Sequence, residues 1–199
     1  MIEQRDAAVT GWLEAVPRDE ARDAAGERVL RLAGYAVVFD SPSERMGSFV
    51  ETIDRRAFDD VLADEPDVRL LVNHEGLALA RTTNGTLRLS VDEHGLRFEA
   101  DLNPNVRASD DLYALVERGD VTQMSFGFRV GNQKVDRSAD PTRVHVTRVK
   151  RLFELSPVTF PAYTEPSVEA RDAEDASELD DVDAASMERE FERLRLRIV

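Results

Sequence analysis

The sequence predicts a mixed α+β domain, mainly β, with flanking helices and a tail at each end. Segments 87–91 and 96–102 alternate apolar and polar residues with period two on either side of Asp92-Glu93-His94-Gly95, the pattern of a hairpin with one wet face. Apolar, partly β-branched runs lie at 29–39, 68–72, 121–130 and 144–155. Within 28–163, helical signatures are confined to 54–63 and 109–118, so strands outweigh helices.

In chain order, residues 1–27 are charged and Ala-rich. Trp12, Leu13 and Val16 make an apolar patch without a sustained period, so this stretch reads as a mobile N-terminal arm. Residues 28–163 form the domain. The strand at 29–39 holds Gly34, a bulge site, and 40–43 breaks it. In 54–63, Asp54 is placed to cap a helix whose Phe58, Val61 and Leu62 share a face, with Pro66 beyond its end. The run 68–72 reads as a buried strand leading into Asn73-His74. After the hairpin, 109–118 reads as a helix capped by Ser109 and stopped by Gly119. Strand 121–130, polar loop 131–142 and strand 144–155 follow, with a bulge expected around Arg148-Val149-Lys150-Arg151. Residues 164–185 are an acidic linker by composition. Residues 186–199 form an amphipathic helix with Met187, Phe191, Leu194 and Ile198 on one stripe and Arg193, Arg195 and Arg197 in its last turns. A helix this short is marginal alone, so the stripe is expected to dock on its own domain, a second copy or another protein.

Composition bounds the function. The 199 residues suit one domain plus tails, and a hydrophobic share of 42% suffices for a core. A net charge of −14 argues against a grip on nucleic acid or on anionic membranes. With no cysteine, disulfides, thiolate nucleophiles and Cys-based zinc sites are excluded. No apolar run approaches the roughly 20 residues that span a bilayer, and the first residues lack the apolar stretch of a signal peptide. His74, His94 and His145 have no metal-ligand spacing, so no metal or other cofactor is expected.

The chemistry-bearing residues are few. As a strand, 121–130 turns Thr122, Met124, Phe126, Phe128 and Val130 one way and Gln123, Ser125, Gly127 and Arg129 the other. Gly127 leaves room beside the Ser125 hydroxyl for a substrate backbone; taken alone, the segment fits an ordinary half-exposed strand serine better. His74 follows an apolar strand and precedes Glu75-Gly76. It is either a solvated turn residue or an imidazole projecting into a cleft, where it can take a proton from a hydroxyl near neutral pH. His94 lies in the hairpin turn and reads as solvated, while His145 lies on the last strand as a surface residue or a third catalytic member. Glu154, between Phe153 and Leu155, needs a partner because an unpaired buried carboxylate is costly. An imidazole Nδ1–H would make it the orienting acid of a Ser–His–acid triad; Arg148, Lys150 or Arg151 would make it a salt bridge. The Gly-x-Ser-x-Gly elbow of the α/β-hydrolases is absent, since Gln123 stands where its first Gly would be.

Taken together, the segments resemble a known family. Gly34-Tyr35-Ala36-Val37-Val38-Phe39, Phe49-Val50-Glu51-Thr52-Ile53, the helix around Phe58 and Leu71-Val72-Asn73-His74 resemble the opening half of the tailed-phage prohead (capsid maturation) serine proteases. Met124-Ser125-Phe126-Gly127-Phe128 resembles their Ser-x-Gly-Phe segment. Leu152-Phe153-Glu154-Leu155-Ser156-Pro157-Val158-Thr159-Phe160-Pro161-Ala162-Tyr163 resembles their closing Glu-x-Ser-x-Val-Thr-x-Pro-Ala-Tyr. The resemblance implies a compact antiparallel β-barrel with flanking helices, similar to the herpesvirus assembly proteases. It implies a serine endopeptidase that cuts scaffold protein and major capsid protein inside the immature capsid, in the host cytoplasm. Ser125 would be its nucleophile, His74 its base and Glu154 its third member, with His145 the alternative because the herpesvirus enzymes use a second His. Backbone N–H groups near Phe126 and Gly127, or the Arg129 side chain, would serve the oxyanion. A homodimer is expected by the same analogy. The competing expectations are an inactive scaffold or capsid-assembly protein on the same fold, a β-rich binding module, and a metal hydrolase.

One repeat brackets the domain. Glu20-Ala21-Arg22-Asp23-Ala24 recurs as Glu169-Ala170-Arg171-Asp172-Ala173, with Arg5-Asp6-Ala7 a partial third copy. Exposed, flexible chain is where a protease engages, so Arg22 and Arg171 mark candidate self-cleavage sites. Chance recurrence of abundant residues is the other reading.

Overall fold

The structure, a computed structural model, describes residues 5–6, 11–43, 45 and 48–159. The acidic linker, the amphipathic helix and the Arg171 copy of the repeat lie outside the described residues.

The fold is mainly β, as the alternation predicts. In chain order its elements are β1 (Arg5–Asp6), β2 (Gly11–Ala15), β3 (Leu30–Val38), β4 (Phe49–Ile53), α1 (Asp59–Ala63), β5 (Arg69–Val72), β6 (Glu75–Arg81), β7 (Leu87–Val91), β8 (Gly95–Leu102), α2 (Arg107–Arg118), β9 (Gln123–Asp136) and β10 (Thr142–Val158). A short 3-10 turn, Thr82–Asn84, links β6 to β7. The strands hydrogen-bond in the order β6-β5-β10-β9-β2-β3-β8-β7, with β1 also on β9 and β4 also on β10. Most pairs are antiparallel, but β4 and β5 run parallel to β10. The expected closed barrel is corrected: among the described residues no ladder joins the two end strands, although β6 comes against β7 and β8. The sheet curls without closing around one apolar cluster that includes Leu13, Leu32, Leu70, Phe98, Phe126, Leu152 and Leu155.

The N-terminal expectation is also corrected. By sequence, residues 1–27 read as an arm outside the domain, yet β2 lies inside the sheet between β3 and β9. Leu13 is buried while Trp12 and Glu14 face outward, a period-two pattern too short to register in the sequence. Gly34 serves this contact rather than a bulge. A Cβ there would lie 2.1 Å from the Trp12 carbonyl oxygen, and the register shift falls between Tyr35 and Val37. After β2, Tyr113 of α2 donates its hydroxyl to the Val16 carbonyl at 2.6 Å, tying the segment to the helix.

The helices keep their expected faces but shift their starts. α1 is shorter than 54–63 because Asp54 closes a turn, accepting the Arg56 N–H at 2.9 Å, instead of capping a helix. Phe58 and Val61 still point into the core. α2 begins before Ser109, which sits buried inside it with no hydrogen-bond partner for its hydroxyl among the described residues. Gly119 ends it as expected, at φ 85°, its N–H returning to the Leu115 and Val116 carbonyls.

β9 and β10 are much longer than the apolar runs that announced them. Most of the polar stretch read as a loop is a solvated hairpin, with Arg143 opposite Asp136 and Val146 opposite Gln133. Residues 132–136 on its β9 arm are polar because they are exposed, while Val144 and Val146 on the β10 arm are buried. The bulge expected near Arg148 is present as several register shifts between Val146 and Arg151. A further shift between Leu152 and Glu154 resets the pairing just before the segment that matters most.

Candidate active site

β10 runs between β5 and β9, and this placement assembles the site. On one side Leu155 pairs with Leu70 of β5, the strand that leads to His74. On the other side Glu154 lies opposite Gly127, and Ser156 opposite Ser125, on β9. Residues two apart on a strand share a face, and directly opposed residues have Cβ atoms about 5 Å apart. Glu154, Ser156, Ser125 and Gly127 therefore occupy one face, while Leu155, Phe126 and Met124 face the core. Ser125 is buried at 1% exposure, so the half-exposed strand serine is not its setting.

His74 reaches this face through a backward turn. Asn73 and His74 both have positive φ, 51° and 62°, a conformation costing a non-glycine residue about 1–2 kcal/mol. Four hydrogen bonds from the end of β10 hold it. The Asn73 N–H donates to the Pro157 carbonyl at 3.0 Å, and the His74 N–H to Ser156 Oγ at 3.1 Å. Asn73 Nδ2 donates to Thr159 Oγ1 at 3.2 Å, and its Oδ1 accepts the Thr159 N–H at 2.9 Å. The closing Ser-Pro-Val-Thr segment is thus the template on which the histidine loop is fixed.

The acid completes the group. Glu154, with a side chain 6% exposed, places Oε1 2.9 Å from His74 Nδ1. An ionised carboxylate accepts only, so this contact puts the imidazole proton on Nδ1 and turns Nε2 into the basic nitrogen. Ser156 Oγ donates to the other oxygen, Oε2, at 2.5 Å. Both carboxylate oxygens are thereby paired, which is how a buried Glu avoids its desolvation penalty. Two of the basic partners considered for Glu154 are engaged elsewhere: Arg148 pairs with Asp60 at 2.9 Å and Arg151 stacks on Phe153.

The other candidates separate. His145 belongs to the distant half of β10, opposite Thr52 and Lys134. It contacts Thr52 Oγ1 through Nδ1 at 2.8 Å and Asp54 through Nε2 at 3.2 Å. Asp54 is held below the usual carboxylate range, first by the Arg56 N–H and then by His145. Ten residues of strand lie between His145 and Ser156, roughly 30 Å of chain, so His145 stands apart from this group. His94 is exposed in the hairpin turn as expected. Gly127 has strand partners on both sides, Glu154 and Asp6. Arg129 is two strand steps beyond Ser125 on the same face, roughly 13 Å along the strand, with its guanidinium over the Phe153 ring. Its buried Nε–H has no hydrogen-bond partner among the described residues. No group of three metal-binding side chains occurs among the described residues.

Arg22 sits in a folded turn. It bridges to Arg28, its carbonyl accepts Arg31 Nη2 at 2.7 Å, and Asp23 Oδ1 accepts the Ala25 and Glu27 N–H groups. Ala21 beside it is fully buried. The premise of an exposed, extended segment does not hold for this copy of the repeat.

A serine on one strand, opposite a strand whose buried carboxylate orients an imidazole, is the constellation of a serine hydrolase acting by acyl transfer. The chain belongs to the caudovirus prohead serine protease family, whose sequence pattern matches residues 17–181. It is 32% identical over 146 residues to the prohead protease of Enterobacteria phage HK97, across 73% of this chain and 61% of that protein. The chain thus spans about 61% of the length of the curated relative it matches. No solved structure matches it. The match begins at residue 17, so β2 enters the sheet from outside the family pattern. Ser156 was missed as a site residue by sequence reasoning, although its spacing of two from Glu154 already put both on one strand face.

Proposed function

We propose that the chain is a serine endopeptidase of prohead maturation, with Ser125 as nucleophile, His74 as general base and Glu154 as the orienting acid. The observation that carries this reading is the 2.9 Å contact from His74 Nδ1 to a buried Glu154, on the strand directly beside Ser125. His74 Nε2 takes the Ser125 proton as Oγ attacks the scissile carbonyl, and Glu154 stabilises the imidazolium formed. The proton passes to the leaving amine, an acyl-enzyme remains, and water resolves it through the same base. Backbone N–H groups at Phe126 and Gly127 and the Arg129 side chain, whose buried Nε–H has no hydrogen-bond partner among the described residues, are the oxyanion candidates in this reading. An oxyanion donor contributes about 3–4 kcal/mol.

The substrates would be the scaffold protein and scaffold-like segments of the major capsid protein, cut inside the assembling shell. Self-cleavage in this reading falls at the Arg171 copy of the repeat rather than in the folded turn at Arg22. A fluorophosphonate probe tests the site: it should label the wild-type chain at Ser125 and fail on Ser125→Ala, with His74→Ala strongly slowed. Equal labelling of wild type and Ser125→Ala would overturn the assignment. A folded wild type that does not label at all would be an inactive assembly protein of the same family.

A further inference from the structure

We propose that Ser156 is a positioning residue of the active site, acting through Glu154 and through the backbone of His74. The inference rests on the protease reading above. Ser156 is fully buried, and its one hydroxyl makes two bonds of opposite sense. It donates to Glu154 Oε2 at 2.5 Å and accepts the His74 N–H at 3.1 Å. The Ser156 hydroxyl thus ties base and acid together at a second point, beside the direct contact of Glu154 Oε1 with His74 Nδ1 at 2.9 Å. Four atoms groups close a ring: the His74 N–H, the Ser156 hydroxyl, the Glu154 carboxylate and the His74 imidazole.

The ring does two things. With Oε2 occupied by Ser156, the carboxylate cannot rotate away from the imidazole without breaking a charge-assisted bond. With its own N–H held, His74 keeps the positive φ of 62° with which its Nδ1 lies 2.9 Å from Glu154 on β10. Ser156 also lies directly opposite Ser125, so the anchor of the base and the nucleophile are set by one rung of the β9–β10 ladder. Ser156 does not itself contact the scissile bond in this scheme.

The readout is the rate constant of fluorophosphonate labelling, together with the labelled fraction at completion. Ser156→Ala should still label to completion, because the site is present. Its rate constant should fall about ten- to hundredfold, the size of one lost hydrogen bond to a charged group. Ser156→Cys keeps the volume and a weak donor and should recover part of the loss; it also carries the test should Ser156→Ala fail to fold. The decisive comparison is a double-mutant cycle with Glu154→Gln. Because Ser156 acts largely through the carboxylate, adding Ser156→Ala to Glu154→Gln should cost much less than adding it to wild type. Full multiplication of the two effects, or a rate for Ser156→Ala equal to wild type, overturns the inference and leaves the protease reading standing. A wild-type chain that never labels overturns both.

Discussion

A buried carboxylate must have both oxygens partnered, and Glu154 meets that demand with two groups that belong to one site. This explains why its neighbours Phe153 and Leu155 do not expel it from the sheet. Glu154→Gln keeps the shape but no longer enforces the Nδ1–H tautomer of His74. Its hydrolysis rate on a capsid-derived peptide should fall by about 10²–10⁴-fold, with the labelled fraction at completion unchanged. Loss confined to stability would argue for a structural carboxylate instead. At this scale the sequence carried the partners unevenly. Ser125, His74 and Glu154 were each legible as residue types in suitable settings, and the resemblance put them in one chain order. The role of Ser156 was not legible, because it depends on the Leu152–Glu154 register shift and on the positive φ at His74. Neither leaves a pattern in apolar periodicity. The turn at Arg22 was not legible for a related reason: its hydrogen bonds come from Asp23 and Arg31, which composition reads only as charge.

Elements were legible in proportion to how one-sided their burial is. The β7–β8 hairpin, with one wet face, announced both its strands and its turn. The end of β9, residues 132–136, is exposed throughout, carried no apolar alternation and read as a loop, whereas Val144 and Val146 opposite it are buried and fell in a run that read as a strand. β2 was missed because five residues give too few repeats, and because its neighbours in sequence are charged. Its place is fixed by Gly34, where the strands approach too closely for any side chain. Gly34→Ala would put a methyl group into the Trp12 carbonyl, a backbone atom that cannot swing aside. The expected cost is at least about 3 kcal/mol, read as a lower midpoint in urea unfolding. A wild-type midpoint would mean that β2 does not hold this position. A loss of stability without a matching loss of labelling in the folded fraction would separate β2 from the site itself.

For the whole molecule, acid stability has an identifiable source away from the active site. Asp101 on β8 is buried, and burial alone would raise its pKa. Hydrogen bonds from Arg31 at 2.6 Å and Arg88 at 2.8 Å more than offset this, and the carboxyl lies below its ordinary range. A folded pKa below the unfolded value, about 3.9, contributes stability that is fully present above that value and is lost as pH falls through the folded one. Thermal unfolding midpoints should therefore drop below about pH 4, and Asp101→Asn should flatten that drop while lowering stability at pH 7. An unchanged pH dependence in the variant would assign the acid sensitivity elsewhere. Fold class was readable at this scale from strand content. Closure was not, because whether the end strands β6 and β7 pair is decided by geometry that alternation does not encode.

The most direct test of the central claim co-expresses the full chain, as wild type or Ser125→Ala, with its cognate capsid and scaffold proteins, and reads the products by intact-mass spectrometry. The account predicts discrete truncation of capsid and scaffold chains with the wild type and none with Ser125→Ala. Equal truncation with both would contradict it.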